Sequence, residues 1–247
     1  MVAQIANREH TGRAEPVEAE ASEFQQQVGV VGWLAAAVLV GTLGAVALLP
    51  AWLPSLSAAT IGVEPKAYWY LSRSSAFVAY VMLWASMAFG LLLSNRLGRL
   101  WPGAPATFDM HQLTGLLGLG FAALHALVLL GDRYIGYSLA DLLVPFAGTG
   151  YRPLWVGLGQ IALYGAALVG LTFYVRKYIG QCAWRVIHFF SFAVFALALV
   201  HGITSGTDTG EPWAIALYWG SGGVLLFLTI YRVLAARYVT SGAAVKR

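Results

Sequence analysis

Long apolar segments separated by short polar ones dominate the pattern of the chain. A helix that crosses a bilayer needs about 20 mostly apolar residues, because each residue rises about 1.5 Å and the hydrocarbon core is about 30 Å thick. Six segments are this long, at residues 28–49, 68–94, 108–131, 154–175, 186–204 and 213–234. The sequence lacks the ten-residue alternation of outer-membrane barrel strands, so we predict an all-α bundle of six transmembrane helices.

Composition supports a membrane protein. Hydrophobic residues make up 59% of the chain, charged residues only 11%, and the mean hydropathy is +0.69. Soluble domains are about half apolar and about a quarter charged. We therefore expect one membrane domain over residues 27–237, with a disordered cytoplasmic tail at 1–26 and a short cytoplasmic tail at 238–247. The first tail has too few large apolar groups to fold alone, and its acidic stretch argues against a secretory signal.

The positions of lysine and arginine predict the orientation, because these residues are retained on the cytoplasmic side during insertion. Eleven of the 15 lie in the two tails and in the second and fourth connections between spans. This distribution predicts a multi-pass protein of the inner (plasma) membrane with both termini in the cytoplasm. The basic rim beside anionic lipid explains the net charge of +4, so we expect no nucleic-acid partner.

Four of the five histidines lie in the third and fifth predicted spans. Both spans run outward in the predicted topology, so His111 and His188 fall at the inner level, and His125 and His201 at the outer level. Each level holds one imidazole from each helix, as bis-histidine ligation of a haem iron requires. Each histidine alone has a simpler explanation as a side chain hydrogen-bonded to a neighbouring helix. Because polar groups in hydrocarbon are costly, four that pair by level favour a functional role.

We therefore predict two b-type haems stacked between helices 3 and 5. Binding is expected to be noncovalent, because the chain has no CxxCH attachment motif. The single cysteine, Cys182, excludes an intramolecular disulfide and a cysteine-ligated iron–sulfur cluster within this chain. Three glycines between the histidines of the third span are explained either by room for a flat macrocycle or by close helix contact: Gly115, Gly118 and Gly120.

The spacing of the histidines differs between the two helices. His111 and His125 are fourteen residues apart, which leaves them about 40° from the same face and about 21 Å apart along the axis. His188 and His201 are thirteen apart, which leaves them about 140° out of alignment in an ideal helix. The fifth span must therefore be strongly tilted, or bulged or unwound between residues 189 and 200, to turn both rings inward.

Three arginines lie near the predicted haem levels, where propionates need cationic partners. Arg73 lies about two turns inside the outer end of the second span, and Arg152 opens the fourth span on the same side. Arg185 precedes His188 by three residues on the inner side. We predict that all three contribute to haem binding, although the positive-inside rule explains Arg185 equally well.

Four segments of the chain resemble the ferric reductase-like transmembrane domain family, which includes ferric reductases and NADPH oxidases. LSRSSAFVAYVML is similar to its second span, DMHQLTGLLGLGFAALHALVLL to its third and YRPLWVGLGQIALYGAALVGLT to its fourth. WRVIHFFSFAVFALALVHGITSGTD is similar to its fifth span and following loop, including the thirteen-residue step. The resemblance covers about residues 68–237. It implies that the four membrane histidines are haem ligands and that electrons cross from the cytoplasmic to the outer face.

The chain departs from the larger members of that family at its carboxyl end. The ten residues after Arg237 are too few for flavin and nicotinamide domains, and no GxGxxG element opens a βαβ unit. We therefore expect a separate donor, which is a flavoprotein, a quinol or a larger complex, and an acceptor at the outer face. Two functions stay open: an oxidoreductase component that conducts electrons, or a haem-bearing or structural subunit of a larger respiratory or photosynthetic complex without independent turnover.

Overall fold

The computed structural model describes residues 66–99 and 103–244, together with three single helical positions, Ala36, Val40 and Gly44. Within this part of the chain the regular structure is entirely helical. The tail at residues 1–26 lies outside the described residues, and so does the first predicted span at 28–49 apart from those three positions.

Eight α-helices follow one another along the described residues. They are α1 (Lys66–Ser94), α2 (Ala104–Leu127), α3 (Leu139–Leu143), α4 (Pro153–Thr172), α5 (Arg176–Ile179), α6 (Gln181–Phe189), α7 (Ser191–Ser205) and α8 (Pro212–Ala244). A 3₁₀ turn, Val128–Gly131, continues α2, and another, Leu97–Arg99, follows α1. Proline stands in the first turn of α2, α4 and α8, where its fixed φ suits a helix start and its missing N–H costs no hydrogen bond.

Five helical stretches are long and apolar enough to cross a membrane. They are Tyr68–Ser94, Ala104–Gly131, Pro153–Thr172, Gln181–Ser205 and Pro212–Ala236. These correspond to the second to sixth predicted spans, so the chain is a multi-pass helical membrane protein. The third and fifth spans begin four and five residues earlier than predicted, because their helices extend beyond the apolar run. The last helix continues to Ala244, so residues 238–244, which we predicted as a tail, are helical.

Helix α1 is the central element of the described bundle. It packs along α2 on one side and against α8 on another, while α4 packs against α7. Polar groups join α1 to α8 within the span: the Tyr80 and Ser221 hydroxyls lie 2.5 Å apart, and the Trp84 indole donates to the Ser221 carbonyl at 3.1 Å. Large apolar side chains cover the outside of α8, where Trp219 is 79% exposed and Phe227 67%. Such surfaces are stable in lipid and not in water.

The fifth predicted span consists of two helices that meet at Phe190. The Phe190 N–H donates to the Ile187 carbonyl at 3.0 Å, a bond three residues back that tightens the end of α6. Helix α7 then begins at Ser191. A break of the kind that the thirteen-residue histidine step required is thus found at Phe190, between the helices that carry His188 and His201.

Candidate functional site

The structure brings the four membrane histidines together as two pairs. His111 on α2 faces His188 on α6 with ring centres 5.9 Å apart, and we call these the first pair. His125 on α2 faces His201 on α7 with ring centres 6.2 Å apart, and we call these the second pair. The rings of each pair are inclined by 83° and 64°. Each pair combines the two residues that the sequence placed at one level.

The separation within each pair fits a metal ion bound between two imidazoles. Each metal–nitrogen bond is about 2 Å long and a ring nitrogen lies about 1 Å from its ring centre, which places the ring centres roughly 6 Å apart. Both observed distances are close to this value. Edge-to-face contacts between two rings also have centres about 4.5–7 Å apart, so the spacing is compatible with an ion between the rings but does not by itself require one.

Two serines of α1 hold the two histidines of α2. Nδ1 of His111 donates to the Ser86 carbonyl at 2.8 Å, and the Ser86 hydroxyl donates to the His111 carbonyl at 2.9 Å. Ser72 and His125 repeat both bonds at 2.9 Å each. The serines are fourteen residues apart, as the histidines are, because α1 and α2 run antiparallel in register. This matching step is visible in the second span, but neither serine was among the predicted site residues.

His201 is held by α4. Its Nδ1 donates to the Trp155 carbonyl at 2.8 Å, and its ring lies against Gly159, where a Cβ would stand only 2.6 Å from Nδ1. The same arrangement occurs at the first pair, where Gly90 is four residues after Ser86 and a Cβ there would be 3.2 Å from the His111 ring. A glycine four residues after the accepting carbonyl makes room for the imidazole in both places.

These contacts fix which ring nitrogen is available. A neutral imidazole carries one N–H, and a bond from Nδ1–H to a backbone carbonyl leaves the Nε2 lone pair free. His111, His125 and His201 all have this arrangement. Metal-ligating histidines almost always donate their second nitrogen in this way, which fixes tautomer and ring orientation. The three rings are therefore prepared to act as ligands through Nε2.

His188 is oriented by an aromatic neighbour. The Trp184 ring stacks on it with centres 5.1 Å apart and planes inclined by 25°, and Phe173 packs against the other side of Trp184 at 6.1 Å. Because the tryptophan is four residues earlier on α6, both side chains lie on one face of that helix. Within the described residues the buried Trp184 Nε1 has no hydrogen-bond partner.

A cavity surrounds the second pair. Its volume is about 200 Å³, and it reaches from His125 and His201 to the loop after α7. Its lining is mainly apolar, and many of the lining side chains are small: Ala76, Ala122, Ala126, Ala162, Ala166 and Ala198.

The three predicted arginines have different surroundings. Arg73 lines the cavity of the second pair and forms a two-point ion pair with Asp208, in which Nε and Oδ2 are 3.0 Å apart. Arg152 is exposed, donates to the Thr204 carbonyl and lies beside the Tyr151 ring. Arg185 is exposed and makes local contacts with Gln181 and Cys182. Arg73 is thus the arginine that the structure brings to a histidine pair.

Two of the predicted glycines serve close helix contact. A Cβ on Gly115 would be 3.1 Å from the Ser86 hydroxyl, and one on Gly118 would be 2.8 Å from Leu83. Both neighbours belong to α1. Of the two explanations for these glycines, close approach of α1 and α2 accounts for both positions.

Titratable groups gather at the mouth of the cavity, outside the spans. Burial raises the pKa of Tyr137, and the nearby Asp141 carboxylate and Tyr151 raise it further.

Across residues 66–99 and 103–244 no cluster of three or more His, Cys, Asp or Glu side chains is arranged to hold a metal ion. Comparison with family models, with curated protein sequences and with solved structures gives no match.

Proposed function

We propose that the chain is a transmembrane electron-transfer protein in which each histidine pair holds one b-type haem. The observation that carries this proposal is the geometry of the pairs. At two separate levels, two imidazoles from different helices face each other with ring centres about 6 Å apart. Three of the four rings have Nδ1 engaged by a carbonyl and Nε2 free to act as an axial ligand.

Pairs of protein ligands are sufficient for this cofactor. The macrocycle of a haem supplies four nitrogens, so the protein contributes only the two axial ligands. A bare metal ion would need a larger cluster of side chains, which the described residues do not contain. Haem supplies one-electron chemistry when bound, because its iron cycles between two oxidation states.

The protein's own residues would set the properties of each level. The Ser86 and Ser72 carbonyls orient His111 and His125 and raise their basicity as ligands. The mainly apolar lining of the cavity lowers the polarity around the second pair. Arg73 adds a cation at that level that is paired with Asp208, and in this proposal it also meets a propionate.

The two levels define a path across the membrane. His111 and His125 are fourteen residues apart on α2, which corresponds to about 21 Å along the helix. We propose that the first pair lies toward the cytoplasm and receives electrons from a separate donor, a flavoprotein, a quinol or a larger complex. The second pair then delivers them to an acceptor at the outer face. In this respect the chain would act as a short ferric reductase-like component.

Single substitutions of the histidines test the pairing. Loss of one axial ligand should leave that haem five-coordinate or lost, while the other level keeps both of its ligands. We therefore expect His111→Ala and His188→Ala to share one absorption spectrum and redox titration, and His125→Ala and His201→Ala to share another. Haem extracted into pyridine should approach two per chain in the parent protein and in His10→Ala, which alters a histidine of the amino tail. A parent protein without haem, when made with ample haem supply, would end the proposal.

Direction is tested in oriented vesicles with a donor on the cytoplasmic side. Loss of a second-pair ligand should leave the first level reducible but stop transfer to an impermeant outside acceptor. Loss of a first-pair ligand should block reduction of both levels. The opposite assignment of phenotypes would reverse the proposed orientation. If the haem protein purifies only within a larger complex and has no turnover outside it, the subunit role is the correct one.

A further inference from the structure

We propose that residues 139–146, which connect α2 to α4, re-enter the membrane and separate the cavity of the second pair from lipid. The proposal depends only on insertion of the helices into a membrane and needs no bound cofactor. It concerns α3 and the three residues that follow, a segment whose outer face meets lipid acyl chains.

The depth of this segment follows from its contacts with α4. That helix has 20 residues, or about 30 Å, so its whole length is needed to cross the hydrocarbon core. The Gln160 amide donates to the carbonyls of Asp141 and Leu142 at 2.7 Å each, and the Gln160 Cα lies about 10 Å from the helix start. The Tyr164 hydroxyl donates to the Leu143 carbonyl, and the Tyr164 Cα lies about 16 Å from the start.

The chain then rises again toward the end of α4. The Phe146 ring lies on the backbone of Gly157, where a Cβ would be 2.2 Å from the ring, and Gly157 is only about 6 Å from the helix start. Phe146 has φ 66°, a left-handed conformation that is rarely adopted by a large residue. A step of three residues thus leads from the deepest contact, at Leu143, to a shallower one, at Phe146, as expected for a segment that turns inside the bilayer.

The hydrogen bonds solve the problem that such a segment faces in lipid. A short helix leaves its last carbonyls without partners, and an unpaired carbonyl in hydrocarbon costs several kcal/mol. Gln160 and Tyr164 supply donors to three consecutive carbonyls at the end of α3. At its other end, Ser138 and Asp141 form a capping box that pairs two backbone N–H groups. A loop in water needs neither a glutamine nor a tyrosine from a membrane span for this purpose.

The two faces of the segment differ in their surroundings. Tyr137, Asp141 and Leu142 line the cavity of the second pair. On the other face, Leu139 is 62% exposed and Leu143 is 56% exposed. Leu143 adjoins Tyr164 on the outside of α4, a surface that continues to Leu168, so its exposed face is continuous with the membrane-facing side of a span. This continuity indicates that lipid acyl chains cover the exposed face of the segment.

Spin labels at single cysteines test the position of this face. Leu139→Cys and Leu143→Cys are prepared in a Cys182→Ser background, labelled with a nitroxide and reconstituted into phosphatidylcholine vesicles. Leu168→Cys on α4 is the lipid reference, and Glu211→Cys in the exposed loop after α7 is the water reference. We expect the Leu143 label to match Leu168 within about twofold in collision with oxygen, and to be at least about tenfold less accessible than Glu211 to a soluble nickel chelate.

A label at Leu143 with the accessibility of Glu211 would overturn the proposal, and so would a label that neither probe reaches, because protein would then cover this face. Hydrogen exchange on the unlabelled protein in vesicles gives a second measurement that no substitution affects. Backbone amides of residues 142–144 should exchange at least about a hundredfold more slowly than those of the Glu211 loop. Equal exchange in the two segments would place residues 142–144 in water.

Discussion

Substitution of Gly159 by alanine gives the sharpest test of how the second pair is built. The new Cβ would stand 2.6 Å from Nδ1 of His201 and 2.7 Å from two of its ring carbons. Nonbonded carbons pack at about 3.5–4.0 Å, so the ring or α4 must retreat by roughly 0.8 Å or more. A ligand bond tolerates only about 0.2 Å, and the Nδ1 bond to the Trp155 carbonyl would be lost as well.

The expected result is selective loss of the haem at the second pair. Haem per chain should fall from about two toward one, and the remaining spectrum should match that of His201→Ala. Gly90→Ala is a graded comparison: its Cβ would be 3.2 Å from the His111 ring, so a shift of a few tenths of an ångström relieves the contact and both haems should stay.

Gly170→Ala on the same helix is the matched control, since its Cβ would have no neighbour within 4 Å. Alanine normally stabilises a helix by about 1 kcal/mol relative to glycine, so Gly170→Ala should keep two haems and melt at the same or a higher temperature. If Gly159→Ala also retains both haems with the parent spectrum and midpoint potentials, His201 does not lie against Gly159 as described and the reasoning fails.

Two further predictions concern the groups around the pairs. Arg73→Gln removes a cation that lines the cavity and should lower the midpoint potential of the second level, whereas Asp208→Asn leaves that cation unbalanced and should raise it. Redox titration measures both shifts. Shifts of the same sign, or larger shifts at the first level, would contradict the role of this ion pair. Ser72→Ala and Ser86→Ala remove hydroxyls but keep the carbonyls that accept from the histidines. Both variants should therefore keep two haems and lower the free energy of unfolding by about 0.5–1.5 kcal/mol. Haem loss in either variant would show that the hydroxyl, and not the carbonyl, holds the ring.

Much of the fold followed from the apolar pattern, for a simple physical reason. Bilayer thickness fixes the length of a spanning helix, and five predicted spans reappear within a few residues of their predicted ends. The sequence predicted that the fifth span would be tilted or distorted, but it did not predict a break at Phe190. A thirteen-residue step shows that a distortion is needed but not where it lies. The site of the break depends on packing against other helices, which periodicity does not contain.

The contacts around the histidines were less predictable than the histidines themselves. Backbone carbonyls of Ser86, Ser72 and Trp155 accept the Nδ1 protons, and a carbonyl belongs to every residue, so no side-chain type marks such positions. Glycines at 90 and 159 stand four residues after two of these carbonyls and are visible in the sequence. Ala76 stands at the matching position after Ser72, so a glycine marks only two of the three contacts. The path of α3 toward Gln160 and Tyr164 left no periodic signal, since the segment is too short to have one.

The two sides of the histidine arrangement differ in how their rings are fixed. On α2, His111 and His125 pair with Ser86 and Ser72 at the same fourteen-residue step, so one antiparallel contact between α1 and α2 orients both rings together. On the other side, the break at Phe190 places His188 and His201 on separate helices, the first stacked on an aromatic ring and the second bound to α4. A shift of α1 against α2 would therefore disturb both levels at once. A change at the α4 contact with His201 would alter the second level alone, and so would a change in the ion pair of Arg73 and Asp208 beside that level.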